Sequence, residues 1–193
     1  MQQKPDYLVL VNSANRLPAD YEETVERITV QNNFGDRYQV EKKTYEAFLH
    51  LQKDLWETEG IQVELISAYR TVEAQEKTFQ SHLVRFGEEY TYKYVAKPGH
   101  SEHHTGLAID VGIVVDGKLR YHAQELLEVD ALFQIIHAKL PKHGFILRYP
   151  RQKESVTGIG YECWHFRYLD DPALAQEITD KGWCFEEYWA SKA

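Results

Sequence analysis

Ser101-Glu102-His103-His104-Thr105-Gly106-Leu107-Ala108-Ile109-Asp110 places two histidines and two carboxylates at the start of an apolar run that continues to Val115. Small and β-branched residues from Gly106 to Val115 read as a buried strand. His103 precedes that strand and Asp110 lies within it. Further along, Glu162-Cys163-Trp164-His165 adds another glutamate and another histidine. Zinc takes imidazole nitrogen and carboxylate oxygen at roughly 2.0–2.2 Å, whereas a structural site is closed by four protein ligands, most often thiolates. Cys163 and Cys184 are the chain's 2 cysteines, too few for such a cage. His103, Asp110 and His165 would leave a fourth position for water, and Glu162 supplies a base to use it. This is the inventory of a catalytic zinc site with one ion, and zinc brings the pKa of its water to about 7.

Spacing supports part of this reading. Tyr161 to Leu169 alternates Trp164, Phe166 and Tyr168 with His165 and Arg167, which predicts a second strand. Glu162 and His165 are three apart, so an ideal strand would point them to opposite faces. A bulge or turn near Cys163 is required to aim both at one metal. His100 and His104 also sit close enough to be ligands, although His104 points away if His103 points in. Cys163 reads as a small buried apolar group rather than a ligand, and a thiolate beside zinc would be its reactive form. Ser101 fits either a turn cap or a pocket wall. Trp164 fits either core or pocket.

The rest of the chain supplies a frame. Leu8 to Val11 reads as a short strand or extended segment, and Asn32 to Val40 as polar and turn-rich. A helix is predicted over Thr44 to Glu59, with Phe48, Leu51, Leu55 and Trp56 on one face and Gly60 as its stop. Val63 to Tyr69 is a strand delivering Arg70. Thr71 caps the next helix, which carries Gln75, presents Phe79, Leu83, Val84 and Phe86, and ends at Gly87. Tyr90 to Pro98 reads as an aromatic loop. Asp116-Gly117 fits a hairpin turn. Ala123 to His143 holds one or two helices with Leu132, Phe133, Ile135, Ile136 and Leu140 as the buried face. Phe145 to Tyr149 is a strand, followed by a charged loop around Gln152-Lys153-Glu154. Asp171-Pro172 starts a helix, and Phe185 to Ala190 forms the last. Helices around a small, mainly antiparallel sheet make the expected fold α+β, in a single domain over residues 1–193.

Composition sets outer bounds. A chain of 193 residues suits one domain with a sizeable core. The net charge of −8 argues against a nucleic-acid partner. No run approaches the ~18–20 apolar residues of a membrane span. Met1-Gln2-Gln3-Lys4-Pro5-Asp6 is followed by only a short apolar stretch, which is not a signal peptide. As the chain stands it is expected in the cytoplasm. A trimmed piece of an exported enzyme, working at the cell wall, would look the same. Oligomeric state is not readable.

Ser-x-His-x-x-Gly-x-Ala-x-Asp followed by Glu-x-Trp-His resembles the zinc D-alanyl-D-alanine carboxypeptidases and dipeptidases of the VanY, VanX and VanXY type. These share a metal-binding fold group with lysostaphin-like peptidases and the hedgehog signalling domain. The resemblance covers most of the chain. It includes Leu10-Val11-Asn12, Leu17-Pro18-x-x-Tyr21, Ser67-Ala68-Tyr69-Arg70, Pro98-Gly99-His100, Gly144-Phe145-Ile146-Leu147-Arg148-Tyr149-Pro150 and Thr157-Gly158-Ile159. It implies that His103, Asp110 and His165 bind zinc, that Glu162 is the general base, and that Arg70 stabilises the oxyanion. Gln75, Ser101 and Trp164 match positions that line the substrate pocket. The family usually has proline where Cys163 stands, glycine where Ala68 stands, and often glutamine where His104 stands.

The implied substrates are peptidoglycan precursor peptides ending in D-Ala. The leading expectation is a D,D-carboxypeptidase that removes the terminal D-Ala, and resemblance to the VanXY type of glycopeptide resistance leaves cleavage of free D-Ala-D-Ala open as a second activity. An L,D-carboxypeptidase on tetrapeptides and a cell-wall endopeptidase are the enzymatic alternatives. A non-catalytic zinc-bound recognition module, as in hedgehog signalling, is the alternative of another class, and the retained Glu162 and Arg70 speak against it. Asp116 to Val129 is the expected selectivity loop.

Overall fold

Residues 5–192 are described by a computed structural model. The reading of the first residues as free of a leader falls partly on residues 1–4, which lie outside the described residues, as does the end of the single-domain span.

A hairpin comes first: β1 (Arg27–Gln31) pairs antiparallel with β2 (Arg37–Glu41). Only residues 32–36 of the expected polar stretch form a turn, in which Asn32 Oδ1 accepts from the backbone N–H of Phe34 and Asp36. Exposed Arg37 and Gln39 hid the strand, because they dilute the apolar signal of Tyr38 and Val40. Leu8 to Val11 is irregular rather than a strand.

The helix α1 (Lys42–Glu59) starts on Glu41, whose carboxylate accepts from Lys43 N and Thr44 N. It stops at Gly60, which takes the left-handed conformation that favours glycine there. Phe48, Leu51 and Leu55 are buried, but Trp56 is 60% exposed, one step around the helix from the packed face. After β3 (Gln62–Ser67) comes α2 (Val72–Tyr94), capped by Thr71 Oγ1 accepting from Ala74 N. Gly87 does not end it. The backbone breaks there at φ 79°, ψ 176° and helical turns resume to Tyr94. Phe79 and Tyr92 rings lie 5.6 Å apart. A straight helix would separate them by about 20 Å, so the second half doubles back. The expected loop from Tyr90 is therefore partly helical, and Val84 and Phe86 are exposed rather than core.

The main sheet is antiparallel throughout. Its order is β3, β4 (Ala108–Val115), β7 (His165–Tyr168), β6 (Phe145–Leu147), with β5 (Lys118–Arg120) also on β4. One edge of β4 pairs with β3, and the other is shared between β7 and β5. Asp116 and Gly117 both have positive φ, as a two-residue hairpin of the mirror-image type requires. Gly112 is needed for close approach, since a Cβ there would stand 2.7 Å from the Arg120 carbonyl oxygen.

Alternation divides the sheet into two faces. Val63, Leu65, Ile109, Val111, Ile113, Phe145 and Phe166 join α1 and α4 (Asp130–Lys139) in the core, with Phe133 and Ile136 buried from α4. Ile135 is 38% exposed and lies outside that face. Asp110, His165 and Arg167 fall on the opposite face. The remaining helices are α3 (Ala123–Glu128), the short α5 (Glu154–Thr157) inside the expected charged loop, α6 (Pro172–Asp180) and α7 (Phe185–Ala190). Asp171 caps α6 as expected. A smaller apolar cluster joins α6 and α7 to Ile146 and Leu169.

Candidate active site

Strand register places the first pair of site residues. Asp110 pairs with His165 across β4 and β7, and with Ser67 across β4 and β3. Directly opposed strand residues share a face. His103 arrives from a 3-10 turn, Glu102–Thr105, which Ser101 caps and Gly106 ends in a left-handed conformation. Three contacts fix this turn against the end of β3. His103 Nδ1 lies 2.7 Å from the Ala68 carbonyl oxygen, Arg70 N donates to His103 O at 3.1 Å, and His104 Nδ1 lies 2.7 Å from Arg70 O.

One donor atom from each of His103, Asp110 and His165 lies within 4.8 Å of the others. His103 Nε2 is 3.2 Å from Asp110 Oδ2, and His165 Nδ1 is 3.1 Å from Asp110 Oδ1. A tetrahedron with arms of about 2.0 Å has edges of about 3.3 Å. Asp110 Oδ1 is buried yet makes no aligned hydrogen bond, as fits an oxygen shaped for an ion. The donor set suits zinc: two imidazoles and a carboxylate, with thiols absent from the cluster.

The expected strand over Tyr161 to Leu169 begins only at His165. Cys163 and Trp164 form a turn, with His165 N donating to Glu162 O at 3.4 Å. That turn resolves the spacing conflict: Glu162 Oε2 comes within 3.5 Å of His165 Nδ1. Burial pushes the Glu162 carboxyl up to about 8, with Asp110 adding to the rise and His165 and Arg70 opposing it. Burial pulls the His165 imidazole down, but its carboxylate neighbours Asp110, Glu102 and Glu162 prevail and raise it to about 9. Burial lowers the His103 imidazole, against the pull of Asp110. Burial also opposes ionisation of Asp110, yet His103 and His165 hold its carboxyl far below the usual range.

The pocket is lined by every residue that sequence reading placed in the site: Arg70, Gln75, Ser101, His103, Asp110, Glu162, Trp164 and His165. Arg70 Nη1 donates to Gln75 Oε1 at 2.8 Å and Nη2 to Ser67 Oγ at 3.0 Å. Gln75 is buried, not a solvent residue. Ser101 fills both expected parts, since its Oγ accepts from His103 N at 3.4 Å while it lines the pocket. His100 and His104 stand outside the donor cluster: His100 Nδ1 lies 2.8 Å from Asn12 O, and His104 Nε2 accepts from Gly99 N at 3.0 Å. Cys163 is fully buried in the core, and burial pushes its thiol up to about 12, so no thiolate sits beside the donors.

Sequence reading assigned no role to several wall residues. Thr78, His82, Tyr94, Val95 and Ala96 line the pocket from α2 and its exit, together with Tyr149 and Ile159. Tyr149 packs its ring 4.8 Å from that of His165. Asp116 to Val129, the expected selectivity loop, contributes no lining residue to this pocket, whereas Tyr94 reaches it from the folded-back half of α2. Glu102, between the serine and histidine of the motif, is fully buried behind His165.

An α+β sheet carrying a buried His–Asp–His cluster, with a carboxylate and a guanidinium in the same pocket, defines a candidate metal centre. The family model of VanY, D-alanyl-D-alanine carboxypeptidase, matches residues 37–171, and the chain belongs to this family. It is 41% identical over 129 residues to the bifunctional D-Ala-D-Ala dipeptidase and D-Ala-D-Ala carboxypeptidase VanXYC of Enterococcus gallinarum, a match covering 65% of each protein. The chain thus spans just under two thirds of that relative. Among solved structures, VanYB in complex with D-alanine-D-alanine aligns with TM-score 0.79 at 27% identity, covering 97% of this chain and 99% of that one. The vancomycin resistance D,D-pentapeptidase VanY, as a mutant in complex with Zn(II), aligns with TM-score 0.77 at 28% identity, covering 95% and 98%. Among the described residues no helix is long and apolar enough to cross a membrane.

Proposed function

We propose that this chain, as one domain, is a zinc-dependent D,D-carboxypeptidase that removes the terminal D-Ala of peptidoglycan precursor peptides. The observation that carries this reading is the convergence of Glu162 and Arg70 on the pocket floored by His103, Asp110 and His165. The two histidines and Asp110 would hold a single zinc ion. When bound, zinc supplies Lewis-acid polarisation and eases deprotonation of water.

The remaining steps belong to side chains. Glu162 takes a proton from the attacking water as its oxygen bonds to the penultimate peptide carbonyl carbon. Arg70 faces the developing oxyanion, held in place by Gln75 and Ser67. Glu162 then delivers the proton to the leaving nitrogen as the C–N bond breaks, releasing D-Ala. Burial of Glu162 suits it to carry a proton near neutral pH. Ser101 and Trp164 wall the substrate. A binding module would need the donor cluster but neither the base nor the guanidinium.

Mass spectrometry of products tests this. Zinc-loaded protein is given muramyl pentapeptide, tetrapeptide and free D-Ala-D-Ala in parallel, with Glu162→Gln as control. Loss of one D-Ala from the pentapeptide supports the reading. Cleavage of the dipeptide as well extends it to the bifunctional activity named for the VanXYC relative. Cleavage of the tetrapeptide alone moves the enzyme to the L,D class. Larger fragments indicate an endopeptidase, and no product with zinc bound favours the recognition module.

A further inference from the structure

Glu102 takes no part in the chemistry above, yet it is among the most constrained side chains near the pocket. It is fully buried, and its Oε1 accepts 2.7 Å hydrogen bonds from both Arg148 Nε and Arg167 Nη1. Both guanidiniums are fully buried as well. Buried charges persist only where they are paired and hydrogen-bonded. Arg148 completes its pairing with Glu186 of α7 through bonds of 2.8 and 2.6 Å. Arg167 Nη2 donates to the carbonyls of Tyr7 and Val9, each at 2.9 Å.

One oxygen of this network is left over. Glu102 Oε2 is buried without a hydrogen-bond partner, and so is His165 Nε2. The two face each other at 3.7 Å, too long for a hydrogen bond. Buried polar atoms are seldom left unmatched. His103 supplies the comparison: one nitrogen faces Asp110 and the other meets the Ala68 carbonyl at 2.7 Å. His165 turns Nδ1 to Asp110 and Nε2 to Glu102. Each imidazole thus has a donor-facing nitrogen and an acceptor behind it, a carbonyl for one and a carboxylate for the other.

We propose that Glu102 is the positioning residue of His165: closure of the 3.7 Å gap gives the Nε2–H of His165 to Glu102 Oε2, leaving the Nδ1 lone pair for the metal. The inference rests on the reading of His165 as a zinc ligand. An acceptor behind a ligating imidazole fixes its tautomer and ring orientation and raises its basicity. Arg148 and Arg167 clamp the carboxylate, so the aim of His165 depends on α7 and on the segment around Tyr7 to Val9.

Zinc affinity, measured by competition with a chromophoric chelator, tests this on wild type and Glu102→Gln. The substitution offers an amide in place of an ionised acceptor, and zinc affinity is expected to fall roughly 10–100-fold. Tight binding by wild type with equal affinity in the variant overturns the role of Glu102 alone. No binding by wild type overturns the metal-site reading and this inference with it. Because Glu102→Gln also removes charge from between two buried arginines, it can fail to fold. A second measurement therefore uses wild type: side-chain ¹H–¹⁵N spectra of the zinc-loaded protein. A downfield, exchange-protected Nε2–H on His165 is expected. A His165 Nε2 proton at the ordinary solvent position, or lost to exchange, overturns the proposal.

Discussion

Gln75 pins Arg70: its Oε1 accepts from Arg70 Nη1 at 2.8 Å, while its Nε2 donates to the Ala96 carbonyl at 2.7 Å. The amide thereby ties the segment after β3 to the segment that leaves α2. Preorganised donors aimed at developing charge cost no reorganisation during reaction, and losing one lowers kcat by roughly 10²–10³-fold. Arg70→Ala is expected to show a loss of that size on a D-Ala-terminated pentapeptide. Gln75→Ala leaves the guanidinium in place but loose, so kcat should fall by about tenfold, a smaller share of the same effect, with KM little changed. A raised KM at unchanged kcat would instead make Gln75 a substrate contact.

Glu162 stands beside the donor cluster without belonging to it. Glu162→Gln keeps the shape and removes the base. Bound zinc, measured by elemental analysis, should stay near one ion per chain, while turnover drops at least the ~10²–10⁴-fold typical of proton transfer. Wild-type turnover in this variant would take Glu162 out of the mechanism.

The donor residues were legible because their chemistry is rare and their motifs are local: His103 and Asp110 frame one strand, and Glu162 and His165 frame one turn. The turn itself followed from a conflict, since a strand could not have aimed both side chains at one point. What escaped was non-local. Nothing in the neighbourhood of Glu102 announces that Arg148 and Arg167, distant in sequence, will surround it. The pocket wall was misplaced because Gly87 reads as a stop, while in the fold it lets α2 reverse and bring Tyr94 and Ala96 back to the pocket. Helical periodicity groups Trp56 with Phe48, Leu51 and Leu55, and Val84 with Phe79, but periodicity does not say whether a partner surface exists, and both are exposed.

Gly160 packs against Tyr94, a residue of the pocket wall. A Cβ at this position would stand 2.5 Å from the Tyr94 ring, closer than any real contact, and Gly160 N donates to Lys93 O at 2.7 Å. Gly160→Ala must push Tyr94 aside. Because Tyr94 lines the pocket but is not one of the donors, the expected result is a KM raised several-fold with kcat within about twofold and zinc affinity unchanged, the pattern of lost uniform binding. Steady-state kinetics on the pentapeptide decide it, and an unaltered KM would remove Tyr94 from substrate recognition.

Burial of Glu162 has a cost that should be visible without metal. Its carboxyl is raised from 4.5 to about 8 in the metal-free fold. Between those values the folded protein holds a proton that the unfolded chain has released. The folded state therefore binds more protons, and stability falls as pH rises through this window. Each unit of the window is worth up to about 1.4 kcal/mol. Glu162→Gln has no proton to lose, and groups common to both proteins largely cancel in the difference. The metal-stripped variant should thus melt above metal-stripped wild type at pH 8, with a much smaller gap at pH 5. Thermal melts in excess chelator measure both. A gap that is constant or shrinks towards pH 8 would mean that Glu162 ionises freely in the pocket. Its role as proton carrier near neutral pH would then need an explanation other than burial.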